Sequence, residues 1–205
     1  MGGCMSKTDL EFRSALRVSA KYSNLLASLW LCPPEGSPIE AALIRLITTT
    51  IPTHFGDEKV PSFRPHMTLT SDIPPGLDPQ TVIDSITISE LPEIVFSCMR
   101  IGNTFFTRGT LHLKRTSSLL NLAAQCREKF TFGGQSKEEV EQWKNETFTP
   151  HLSLVYSELW PVPKDVSEAM ERDVTAANIG MSCSSHGKPQ DTMNGWEGGM
   201  ILLVS

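Results

Sequence analysis

Phe63-Arg64-Pro65-His66-Met67-Thr68-Leu69 returns further along the chain as Phe148-Thr149-Pro150-His151-Leu152-Ser153-Leu154, two copies of F-x-P-H-h-[Ser/Thr]-L with h apolar. Each copy sets one histidine two positions before one hydroxyl. On an extended strand alternate side chains share a face, so each His and its Thr or Ser point the same way, roughly 6.5 to 7 Å apart. Two such pairs facing each other place two imidazoles and two hydroxyls around one small site. That inventory suits a phosphate ester cleaved by a paired acid and base without a metal. A lone His-x-Thr arises easily by chance. Two copies agreeing at Phe, Pro, His, hydroxyl and Leu do not.

Working outward from the first copy, residues 28–32 read as a short strand stopped by Pro33-Pro34, with Leu29 and Leu31 on one face and Ser28, Trp30 and Cys32 on the other. Ser37, Pro38 and Glu40 form a capping box that starts a helix running to about Thr49, with Ile39, Leu43, Leu46 and Ile47 as its apolar stripe. The first motif strand spans 66–70, and a helix begins at Asp78-Pro79. Strands at 93–101 and 105–114 are joined by Gly102-Asn103 as a tight turn. A helix covers 117–130, burying Leu119, Leu120, Ala123 and Cys126. Ser136 and Glu139 cap a short helix through Trp143. The second motif strand is 151–155, a helix from 163 to 178 ends on Gly180 as its C′ residue, and 195–204 closes the chain as a strand. Strands and helices are interspersed and the motif recurs once per half, so an α+β protein of two similar lobes is the economical picture.

The bulk numbers narrow the partner. The chain has 205 residues and a formal net charge of -5, whereas a binder of long RNA usually carries a basic excess. A small anionic ligand held by a few local donors fits better. Arg64, Arg100, Arg108, Lys114 and Arg115 can supply that local field, although solvated strand edges are the ordinary fate of most of them. Five cysteines at 4, 32, 98, 126 and 183 include no C-x-x-C, which indicates neither a disulfide framework nor a zinc knuckle. His54, His112 and His186 lie outside the phrase and read as structural. No metal-ligand cluster such as H-x-H or H-E-x-x-H occurs, and Gly133-Gly134-Gln135-Ser136-Lys137 lacks the spacing of a phosphate loop. No cofactor is expected.

Residues 1–27 read as a poorly ordered extension ahead of one domain at 28–205. Met1-Gly2-Gly3-Cys4-Met5-Ser6 matches the pattern for N-myristoylation at Gly2, with Cys4 placed for a second acyl chain. Two such signals would be needed for stable membrane attachment. Trp30 and Tyr156 suit stacking on a nucleobase, with packing between lobes as the competing role. Strict alternation puts Tyr156 on the wrong face of its strand unless the strand bends or ends there.

His66-Met67-Thr68-Leu69 and His151-Leu152-Ser153-Leu154 resemble the paired H-x-[ST]-x motifs of the 2H phosphoesterase superfamily. The stretches Ser28 to Pro38 and Pro150 to Ser157 look like those of the fungal 2′,3′-cyclic-nucleotide 3′-phosphodiesterases. The resemblance covers roughly residues 28–204. It implies a bilobal α+β fold, two antiparallel sheets flanked by helices, with both motif strands lining a central cleft. It implies hydrolysis of ribonucleoside 2′,3′-cyclic phosphates to 2′-phosphates. It also implies opening of ADP-ribose 1″,2″-cyclic phosphate, a by-product of tRNA splicing, to ADP-ribose 1″-phosphate.

His66 and His151 are then general acid and base, in an order the sequence leaves open, and Thr68 and Ser153 hold the non-bridging oxygens. The expected protein is a cytoplasmic monomer acting on a small cyclic phosphate, placed at the Golgi by the resemblance. Acylated Gly2 and Cys4 are one physical route to that membrane face. Two other readings stay open: an enzyme of the same superfamily that processes RNA ends (2′-5′ RNA ligase-like or a 3′ exonuclease), and a nucleotide-binding module without catalysis.

Overall fold

A computed structural model describes residues 26–131, 134–183 and 192–204. Its strands are β1 (Ala27–Cys32), β2 (Met67–Ile73), β3 (Glu93–Arg100), β4 (Gly109–Leu113), β5 (His151–Val155), β6 (Gly195–Glu197) and β7 (Met200–Val204). They pair antiparallel in the order β6-β3-β4-β5-β2-β1-β7. The helices are α1 (Pro38–Arg45), α2 (Pro79–Ser85), α3 (Ser117–Phe130), α4 (Lys137–Gln142) and α5 (Lys164–Ala176). The class is α+β. The two expected sheets are continuous, the halves β7-β1-β2 and β5-β4-β3-β6 meeting at the register pair Met67–Leu152.

Alternation assigns the two faces. Leu29, Leu31, Met67, Leu69, Leu111, Leu152 and Leu154 are fully buried and share one core with Leu43 of α1, Leu119 of α3 and Val174 of α5. At roughly 1.5–3 kcal/mol per fully buried aliphatic side chain, this helix-covered face supplies most of the driving force for folding. The opposite face carries Trp30, Thr68, His112 and His151 and forms the floor of the cleft.

Several expected boundaries move for local reasons. Ser37 caps α1, its Oγ accepting from Glu40 N at 3.2 Å, but Glu40 Oε2 reaches past Ser37 to accept from Gly36 N at 2.7 Å. Beyond Arg45 the helix widens into a π turn (Leu46–Thr50) and then a 3₁₀ turn (Ile51–Phe55), because Pro52 has no N–H to continue the α ladder. The connection between β3 and β4 is not a two-residue turn. Residues 101–108 wind through a 3₁₀ turn at Phe105–Thr107, with Gly102 N donating to Thr107 O. Helix α5 ends earlier than Gly180, and Asn178 at φ 62° takes the left-handed position. In α3, Leu122 is buried and Leu120 only half-buried. The closing strand is two strands: Gly198 and Gly199, at φ 74° and 113°, turn the chain from the β3 edge to the β1 edge.

Candidate active site

The repeated phrase does the same local work twice. Pro65 and Pro150 hold the residue before them in extended conformation, which turns the carbonyls of Arg64 and Thr149 toward the following histidine. His66 Nδ1 donates to Arg64 O at 2.7 Å, and His151 Nδ1 donates to Thr149 O at 2.8 Å. A carbonyl can only accept, so each Nδ1 carries the proton and each Nε2 is left for the cleft. The apolar residue that follows is buried in the seam, and the final Leu faces the core.

Antiparallel pairing of Met67 with Leu152 sets His66 across from Ser153 and Thr68 across from His151. Neighbours directly across are about 4.5–5.5 Å apart at Cβ, so the four side chains mark the corners of a small quadrilateral on the cleft face. The register extends this pattern across the whole sheet. One line holds Leu202, Trp30, Thr68, His151, His112 and Cys98; the next holds Met200, Cys32, His66, Ser153, Thr110 and Arg100.

The two imidazoles have different surroundings. His66 is 5% exposed and lies flat against Trp30, ring centroids 3.5 Å apart and planes at 8°. Burial pushes its pKa down to about 4, the hydrogen bond to Arg64 O works the other way, and the His151 charge lowers it further. His151 is half-buried and stands 6.1 Å, centroid to centroid, from His112. Tyr156 is the residue after β5, so the strand ends where alternation would have turned its ring away. Its hydroxyl lies 3.4 Å from His66 Nε2 and its ring stacks on Phe63 at 4.0 Å. Burial raises the phenol to about 12, which keeps it a neutral donor. Trp30 and Tyr156 are thus both at the site, each with one ring face covered by a protein ring.

Three contributions were not read from the sequence. Phe106, 64% exposed, leans its edge on Tyr156 at 5.3 Å, and its carbonyl accepts from Ser153 Oγ at 2.8 Å. Ser153 must therefore swing its O–H away from Phe106 O before it can donate to a phosphate. Buried Arg108 ties the loop down, Nε donating to Ser157 O at 3.0 Å and Nη1 to Gly102 O at 3.1 Å. Glu58 completes this clamp by accepting from Ser157 Oγ and Glu158 N. The third is His112, expected to be structural; its pairing with His151 across the ladder puts it on the cleft face instead. His54 is elsewhere, its Nε2 2.5 Å from Asp173 on α5. Gly2, Cys4 and His186 lie outside the described residues. Among the described residues no group of three or more His, Cys, Asp or Glu side chains could hold a metal ion.

Comparison with known proteins agrees with this geometry. The family model described as "Cyclic phosphodiesterase-like protein" matches residues 25–205. The chain belongs to the cyclic phosphodiesterase-like family. Among its relatives is a 2′,3′-cyclic-nucleotide 3′-phosphodiesterase of Phaeosphaeria nodorum, 32% identical over 183 residues that cover 87% of this chain and 90% of the relative. A Neurospora crassa protein of the same name is 31% identical over 199 residues, covering 87% and 91%. One from Saccharomyces cerevisiae is 24% identical over 161 residues, covering 66% of each. The match to this cyclic phosphodiesterase-like family takes in both copies of the phrase and every strand of the sheet.

Proposed function

We propose that the protein hydrolyses ribonucleoside 2′,3′-cyclic phosphates to nucleoside 2′-phosphates, and opens ADP-ribose 1″,2″-cyclic phosphate to ADP-ribose 1″-phosphate in the clearance of tRNA-splicing by-products. The reading rests on one observation above all: two imidazoles and two hydroxyls share one sheet face around the Met67–Leu152 pair, each Nδ1 held by its own backbone carbonyl. The activity named for the fungal relatives supports it.

In-line attack on a cyclic phosphodiester needs water deprotonated on one side of phosphorus and the leaving ribose oxygen protonated on the other. Two Nε2 atoms on opposite strands can take these two roles, each positioned group being worth on the order of 100- to 10,000-fold in rate. Thr68 and Ser153 donate to the non-bridging oxygens, where charge builds in the transition state. Tyr156 sits beside His66 as a further neutral donor, and exposed Phe106 offers the nucleobase a ring next to Tyr156. We further propose that the protein acts as a cytoplasmic monomer, with acylation at Gly2 and Cys4 bringing it to the Golgi face.

A product assay on 2′,3′-cyclic AMP and ADP-ribose 1″,2″-cyclic phosphate tests the reading. The 2′-phosphate should form, EDTA should leave the rate unchanged, and His66→Ala and His151→Ala should each cut kcat at least about 100-fold. A 3′-phosphate product, or full turnover in either variant, would overturn it.

A further inference from the structure

The two flanks of the quadrilateral are built differently. On the β1 side the cleft face is filled: Cys32, Met200 and Leu202 are buried, and Trp30 covers His66. Arg64 has its guanidinium bound at 2.7 Å to Glu40, a buried carboxylate. On the β4 side the face is open. His151, His112 and Cys98 are half-buried in one line, and Arg100 and Lys114 are exposed at either end of His112's neighbourhood. The β4 and β3 side therefore has room beside the scissile phosphate that the β1 side lacks.

That open flank is cationic although the chain as a whole is acidic, with a net charge of -5. Strand alternation puts Lys114 on the same face as His112, and Arg100 is on the line beside it. The charges that reach His112 are Arg100 and His151, and both hold its proton affinity down, after burial itself. An anion placed among them would relieve that repulsion. Strands are about 4.8 Å apart, so His112 lies roughly 7 Å from the midline between the two motif strands. We propose that His112 and Arg100, with Lys114 at the rim, form a second anion subsite for a phosphate or pyrophosphate that the substrate carries in addition to the one being cleaved. The subsite rests on the cyclic-phosphate reading above and makes nucleotides or nucleotide-sugars with a further phosphate the preferred substrates within it.

Calorimetry with adenosine 2′-phosphate and adenosine 2′,5′-bisphosphate tests this on the whole protein without turnover. The wild type should bind the bisphosphate about tenfold more tightly, as expected for one charge-assisted contact. Arg100→Gln and His112→Asn should each bring that ratio to about two or below, and Arg100→Lys should retain part of it. The ratio of kcat/KM for 5′-phosphorylated and unphosphorylated adenosine 2′,3′-cyclic phosphate should move in parallel. Equal binding of both ligands by the wild type, or a ratio unchanged in the Gln and Asn variants, would overturn the subsite. A wild type that prefers the bisphosphate but hydrolyses neither substrate, with the preference lost in Arg100→Gln and His112→Asn, would instead uphold the subsite and sink the hydrolase reading.

Discussion

His66 is the most tightly held member of the site, wedged between Trp30 and Phe63 with a pKa near 4. The unfolded chain takes up the proton at about pH 6.5, and the folded chain refuses it until about pH 4. Fewer protons are therefore bound in the folded state across that window, and stability falls as pH drops through it, by on the order of 3 kcal/mol. Urea melts at pH 7 and pH 4.5 should show this loss, and His66→Gln should remove most of the difference between them. An undiminished pH dependence in that variant would assign the loss to other groups. His66 and His151 could be picked out from sequence because the phrase occurs twice. His112 could not, since its role depends on which neighbour lies across the ladder, and β4 pairs with β5 across a gap of some forty residues.

At the scale of elements, caps and motif strands were legible because their signals are local: Ser37, Asp78 and Ser136 each accept from the backbone three residues on. The misread elements are those decided by distant partners. Gly102-Asn103 looks like a hairpin turn, but Arg108 draws Gly102 O inward and the loop winds over Ser153 instead. The apolar run at 200–204 reads as a continuation of 195–197, yet its partner is β1 rather than β3. Gly199 makes that switch. A Cβ there would stand 2.2 Å from Cys32 O, at a φ that side chains rarely adopt. Gly199→Ala should therefore destabilise the fold by on the order of 3 kcal/mol, read as a lower denaturation midpoint. Gly76, equally left-handed but with open space around it, should tolerate alanine with a smaller loss.

Across the whole molecule, the sheet is strongest within each half and thinnest between them. β1 is bonded along its length to both β2 and β7, whereas β2 and β5 share the one register pair. The two copies of the phrase sit on either side of that join, so a phosphate gripped by both spans it. Hydrogen exchange with and without adenosine 2′-phosphate should show the largest slowing at the amides of β2 and β5, with little change at β6 and β7. Uniform slowing across all strands would mean that the ligand acts on global stability alone. Pairing the halves through so narrow a contact turns the cleft's occupant into a rivet: the protein is toughest when something with the right charge and size fills it. Melting temperature thus becomes a direct gauge of occupancy, and a heat-resistance screen of phosphate compounds would rank ligands without a single turnover being measured.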